Sequence, residues 1–141
     1  MYDYYHAKVS PSKNWSKEVT PEQIVTWARQ EFTHAGKGDE AALGALRWFY
    51  HYFSHFLSDQ ACIFMPMGGI YLTSSVIHAT KFLFDDPDFK RNFIQTYLTS
   101  RGAGMSTYFK SMPIYLINPD VNLALRGCIT YAKQNGFLVN L

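Results

Sequence analysis

The sequence predicts an α/β chain, mostly helical, with one short parallel βαβα unit and an incomplete sheet. Three observations lead there. Apolar residues recur at helical spacing through most of the chain; two runs only, Ile70-Tyr71-Leu72-Thr73 and Pro113-Ile114-Tyr115-Leu116-Ile117, are short, β-branched and aromatic; helical stretches follow both. With 141 residues, 48% hydrophobic and 17% aromatic, the chain can fill one core in one domain, which excludes disorder as the default.

Residues 1 to 19 are aromatic (Tyr2, Tyr4, Tyr5) and then polar, from Ser10 to Asn14, with no start signal for the helix that the opening residues could continue. The chain reads as beginning in mid-element. Thr20-Pro21-Glu22-Gln23 then starts a helix: a Thr cap, Pro at the first helical position, and a Gln placed to reach back to the cap's backbone N–H. Ile24, Trp27, Ala28 and Phe32 form its apolar stripe and Gly36 ends it. Asp39 caps a second helix running to about Cys62. Its Leu43, Leu46, Trp48, Phe49, Tyr52, Phe53, Phe56 and Leu57 cover most of the circumference, so burial on several sides is expected.

Met65-Pro66-Met67-Gly68-Gly69 is a turn, because Pro cannot continue the helix and glycine tolerates positive φ. The Ile70 strand follows, and Ser74 or Ser75 caps a helix expected to run through about Phe84. Asp86-Pro87 opens a helix over about 88 to 98; Arg101-Gly102-Ala103-Gly104 reads as a flexible loop. After the second strand, Asn118-Pro119-Asp120 turns into a last helix, about 121 to 135, stopped by Asn135-Gly136. A βαβα order predicts parallel strands joined by a right-handed crossover. Two parallel strands are too few to stand alone, so their edges and apolar faces want a partner.

The formal charge of +2 is small and dispersed, which argues against nucleic acid as a partner. The most apolar stretch, Phe49 to Met67, is interrupted by His51, Ser54, His55, Ser58, Asp59 and Gln60, which excludes a membrane span. No leader is evident in the first thirty residues, and Cys62 and Cys128 form no disulfide framework, so a reducing cytoplasm is expected.

Several groups invite a chemical reading. His51 and His55 have the spacing of a two-histidine metal site on one helix face, but no Glu stands between them and Tyr52, Phe53 and Ser54 look like packing, so both read as structural and no metal is expected. His6, His34 and His78 are isolated. Asp85, Asp86 and Asp88 cluster, yet helix capping accounts for them. The cysteines lack a CxxC spacing or a neighbouring base and read as buried thiols. Gly68 to Ile77 is more informative: a glycine pair, a strand, small hydroxyl residues and a helix start converge. Either a ligand approaches the backbone there, beside free helix N–H groups, or the residues only make a turn and a cap.

At these residues the chain resembles the C-terminal part of bacterial-type glucokinases, ATP-dependent sugar kinases of the actin, hsp70 and hexokinase superfamily. Three blocks carry the resemblance in the family's order: Gly68-Gly69-Ile70-Tyr71-Leu72-Thr73-Ser74-Ser75-Val76, Pro113-Ile114-Tyr115-Leu116-Ile117, and Ala124-Leu125-Arg126-Gly127-Cys128-Ile129-Thr130-Tyr131-Ala132. It covers about residues 20 to 135 and implies the C-terminal part of the ribonuclease H-like, actin-like ATPase fold, here as a single partial domain over 1–141. It also implies that Thr73, Ser74 and Ser75 line the nucleotide's adenosine site, with the start of the last helix on the same side. Ser74 and Ser75 replace a family glycine pair, and their side chains either crowd the nucleotide or offer it hydroxyls. Arg126 replaces an apolar family residue.

The resemblance further implies transfer of the ATP γ-phosphate to glucose with Mg²⁺ in the intact enzyme, a step of glycolysis. The family's phosphate-binding Asp-x-Gly-Gly-Thr, its Asn-Asp pair carrying the catalytic base, and its sugar-binding Glu-x-Gly-His have no counterpart in these 141 residues. No catalytic residue is therefore expected in this chain, which reads as a truncated portion, inactive alone, whose partner is the missing N-terminal half or a second copy in a homo-oligomer.

Overall fold

A computed structural model describes residues 19–118 and 120–136. The aromatic and polar opening from Tyr2 to Asn14, His6 included, lies outside the described residues, as does Pro119. The first described helix, α1 (Pro21–Thr33), starts as its sequence dictates: Thr20 Oγ1 accepts from Gln23 N–H at 3.3 Å and Gln23 Oε1 accepts from Thr20 N–H at 2.9 Å. Ala28 is fully buried, with Ile24, Trp27 and Phe32 packed beside it.

Helix α2 (Glu40–Phe64) is the spine of the fold at 25 residues, roughly 37 Å at the rise of an α-helix. Asp39 caps it, accepting from Ala41 N–H at 2.8 Å. It buries Ala41, Ala42, Ala45, Leu46, Tyr50, Leu57 and Ala61 in one stripe against α1 and α4 (Pro87–Thr99). The expected burial on several sides is not observed: Trp48, Tyr52 and Phe56 are 41%, 56% and 52% exposed. These three recur every fourth residue on the face turned from the core and stay largely open to solvent. Pro66 ends the helix, and Met65 takes a left-handed conformation, φ 47°, with its N–H still bonded to Ala61 O.

Strand β1 (Ile70–Leu72) pairs in parallel with β2 (Ile114–Leu116), Ile70 opposite Ile114 and Leu72 opposite Leu116. The period of two sorts the faces. Ile70, Leu72 and Ile114 pack on the core, while Tyr71 and Tyr115 stack at 5.0 Å on the exposed face. The sheet has two strands among the described residues, as the sequence predicts. Gly69 makes the pairing possible. Its φ is +99°, and a Cβ there would stand 2.7 Å from both Pro113 O and the Tyr115 ring.

Helix α3 (Ser75–Ala79) is far shorter than the expected run through Phe84. Thr80 stops it: fully buried, its hydroxyl donates back to Val76 O at 2.7 Å and sits 2.5 Å from the Tyr50 hydroxyl. A 3₁₀ turn over Lys81–Asp85 then leads into α4, capped by Asp86, whose Oδ1 accepts from Asp88 N–H at 2.9 Å. The expected flexible loop at 101–104 is partly helical: a 3₁₀ turn over Ala103–Met105 continues into α5 (Ser106–Lys110), because Phe109 has an apolar site to fill and is 1% exposed. The last helix, α6 (Leu123–Gln134), is capped by Asn122 and buries none of its residues. Arg126 is therefore exposed, and its charge stays in water.

Neither thiol is buried, contrary to expectation. Cys62 lies on the water-facing side of α2 beside buried Ala61, and Cys128 lies on α6; both are free and exposed.

Tyr50 is the hub of the core. Its ring meets Phe84, Phe89, Phe93 and Phe53 with centroids between 5.1 and 6.2 Å, all edge to face. Because the single Thr80 hydroxyl proton goes to Val76 O, Tyr50 is the donor to Thr80. Burial pushes the Tyr50 phenol above its usual value. Once pH passes the ordinary tyrosine value of about 10, the unfolded chain loses this proton and the folded chain keeps it. Stability present below that pH therefore declines as pH rises through the raised folded value. Urea midpoints from pH 8 to 11 should fall over the alkaline part of this range and less so in Tyr50→Phe; equal slopes would contradict this account.

Candidate functional site

In parallel sheets, ligands gather at the carboxyl ends of the strands, and here both ends point the same way. Ile117 N–H donates to Leu72 O at 3.0 Å, extending the pairing one residue beyond β2. Beyond it lies a cleft of about 490 Å³ lined by His78, Lys81, Leu116, Ile117 and Asn118. The loop Thr73, Ser74, Ser75 leaves β1 at the same end. Thr73 and Ser75 are exposed, so their hydroxyls are free to meet a ligand; Ser74 is half-buried and its Oγ accepts from Val76 N–H at 3.2 Å as the α3 cap. With five residues, α3 has no N-terminal site to offer.

None of the three loop residues lines the cleft; His78 and Lys81 do. In the sequence His78 reads as isolated and Lys81 belongs to no motif. Their separation by one helical turn, four and seven residues after the Ser74 cap, was the signal that could have joined them. On the side of β2 facing α4, an apolar groove of about 450 Å³ runs past Ile114, Leu116, Ile94 and Leu98.

The other chemical candidates resolve in different ways. Asp86 caps α4 and Asp88 pairs with Arg91 at 2.6 Å, as capping predicts. His51 and His55, which read as structural in the sequence, stand at the surface of α2. His51 is exposed and His55 half-buried, neither imidazole makes a hydrogen bond among the described residues, and the two rings meet edge to face with centroids 4.9 Å apart. Partial burial, then the charges of His51 and Arg101, hold the His55 imidazole below its usual pKa, so the neutral form is favoured. Among the described residues no group of three or more His, Cys, Asp and Glu could hold a metal ion. No described helix is long and apolar enough to cross a membrane.

Comparison with known proteins bears on this geometry. The glucokinase family model matches residues 1–135. A glucokinase-like protein of Caulobacter vibrioides is 35% identical over 79 residues, a stretch covering 56% of this chain and 23% of that relative. The aligned stretch is thus well under half of the relative's own length. No solved structure matches this chain. A family match across nearly the whole sequence settles the membership: the chain belongs to the glucokinase family.

Proposed function

We propose that this chain is the C-terminal portion of a glucokinase-type sugar kinase, a single partial domain built on the C-terminal part of the ribonuclease H-like, actin-like ATPase fold. Its role in the intact enzyme is to supply part of the nucleotide wall. The observation carrying this reading is that the glucokinase match over 1–135 includes a parallel strand pair whose carboxyl ends open on Thr73 to Ser75 and on the His78 and Lys81 cleft. Thr73 and Ser75 suit hydrogen bonds to a nucleotide, and the Lys81 ammonium suits phosphate. Ser75 stands where a close backbone approach would prefer glycine, so contact there runs through its hydroxyl. The intact enzyme would pass the ATP γ-phosphate to the 6-hydroxyl of glucose with Mg²⁺, whose charge helps carry the transferring group. The two free cysteines fit a reducing cytoplasm.

Phosphoryl transfer needs both substrates, a metal and a base in one place, and the family motifs that bind sugar and supply the base are missing from these 141 residues. The isolated chain should therefore give no glucose-dependent ADP in a coupled assay on material free of host kinases. Turnover by the chain alone would overturn the reading.

A second reading is favoured by the exposed aromatic face of α2 and the unburied α6: a non-catalytic module derived from a sugar kinase that associates with a second copy. Light scattering separates the two. A dimer lost in Trp48→Ser/Phe56→Ser supports self-association, and a monomer at all concentrations removes it.

A further inference from the structure

The histidine pair on α2 has no place in the nucleotide wall, and its geometry has a use of its own. Arg47, His51, His55 and Asp59 succeed one another every four residues and share one stripe of the helix. At the ends of the stripe the charges differ: Arg47 lies above, and the Asp59 carboxylate is taken by a hydrogen-bonded ion pair with Arg101. Between them stand two imidazoles with rings in contact at 4.9 Å and no hydrogen-bond partner among the described residues. The helix beneath them is held: Ser54 is fully buried, Leu57 nearly so, and the Ser58 hydroxyl donates to Tyr97 O on α4 at 2.7 Å. The two nitrogen donors are therefore fixed on a rigid backbone, and only side-chain rotation is needed to aim both at one point.

We infer that His51 and His55 form a two-nitrogen site for a borderline divalent transition metal, of the copper, nickel and zinc class. Imidazole pairs prefer these ions in the order that peaks at copper, whereas Mg²⁺ and Ca²⁺ demand oxygen donors, which this stripe does not leave free. The remaining coordination positions belong to water. The site differs from the metal requirement of phosphoryl transfer in the ion it takes, and does not depend on the proposed kinase reading.

The test uses the full chain, freed of metal by chelator and titrated calorimetrically with CuCl₂, ZnCl₂ or MgCl₂ alone in a non-coordinating buffer. Expected are one Cu²⁺ per chain, weaker Zn²⁺ binding, and no Mg²⁺ saturation. His51→Ala and His55→Ala should each weaken Cu²⁺ binding by roughly tenfold or more, as loss of a ligand does. Alanine suits the helix at both positions, so circular dichroism should show each variant folded. His34→Ala is the control and should bind as the parent does. The inference is overturned if His51→Ala/His55→Ala keeps the parent's Cu²⁺ affinity, if Cu²⁺ shifts the NMR signals of only one of the two imidazoles, or if Mg²⁺ competes equally.

Discussion

Tyr50→Ala abolishes most of the stability of the fold, by about 3–5 kcal/mol on the scale of large aromatic truncations in cores. Tyr50 is 1% exposed and touches rings from the turn after α3 (Phe84), from the start and middle of α4 (Phe89, Phe93) and from α2 itself (Phe53). Truncation leaves a cavity among four aromatic rings and strands the Thr80 hydroxyl without its donor. Collapse cannot fill it, because Phe89 and Phe93 are anchored by α4, which Ser58 ties to α2. Domains are stable by only about 5–15 kcal/mol in total, so the expected outcome is a chain largely unfolded near physiological temperature. Tyr50→Phe isolates the hydroxyl: it keeps the ring and should lose only about 1 kcal/mol. Urea unfolding followed by circular dichroism reads both. An alanine variant melting within a few degrees of the parent would show that the ring cluster is not the hub described above.

Gly38→Ala is the second large effect, and it acts through backbone rather than core. A Cβ at Gly38 would overlap Trp27 O and Glu31 N, both backbone atoms of α1, which cannot swing aside as a side chain can. The same connection is fastened by the Glu31 carboxylate, which accepts from Gly36 N–H at 2.9 Å and Gly38 N–H at 3.1 Å, and by Asp39 N–H on Trp27 O at 3.3 Å. Relieving the clash means moving α2 off α1 and losing these bonds together, which we expect to reduce stability by about 3 kcal/mol. Glu31→Gln offers the comparison: it removes the charge while leaving an acceptor, and should weaken the fold by about 1 kcal/mol. A Gly38→Ala variant with the parent's urea midpoint would place the two helices further apart than described here.

The elements governed by local chemistry were legible in the sequence. Thr20 with Gln23, Asp39, Ser74, Asp86 and Asn135 marked helix ends because capping depends on residues within one turn. The parallel pairing of the two strands followed from two β-branched runs separated by helices, while their register, Ile70 opposite Ile114, did not. What local pattern could not show was set by distant partners. The early stop at Thr80 depends on Tyr50, thirty residues away in sequence, and the ordering of α5 depends on a pocket for Phe109. The role of Gly38 is invisible until α1 and α2 cross, because nothing in its neighbours demands glycine. At the candidate site Thr73, Ser74 and Ser75 leave β1 at the carboxyl end of the strands without lining the cleft, while His78 and Lys81 meet Asn118 there only because α3 stops early. The aromatic run of α2 misled for a physical reason: counting apolar residues around a helix tells how much surface seeks cover, and says nothing of whether a neighbour is at hand.

The last helix carries a thermodynamic consequence. Since α6 buries none of its 12 residues, little of its folding energy comes from the core, and a segment of that length is marginal in water by itself. Melting of the Tyr50 cluster and fraying of residues 123–134 are then two nearly independent events. Amide exchange should distinguish them, with a slow population from α2 and α4 and a fast one from α6. Any surface that captured the Leu125 and Ile129 side chains would turn the fast population slow, which makes this helix a built-in reporter of association.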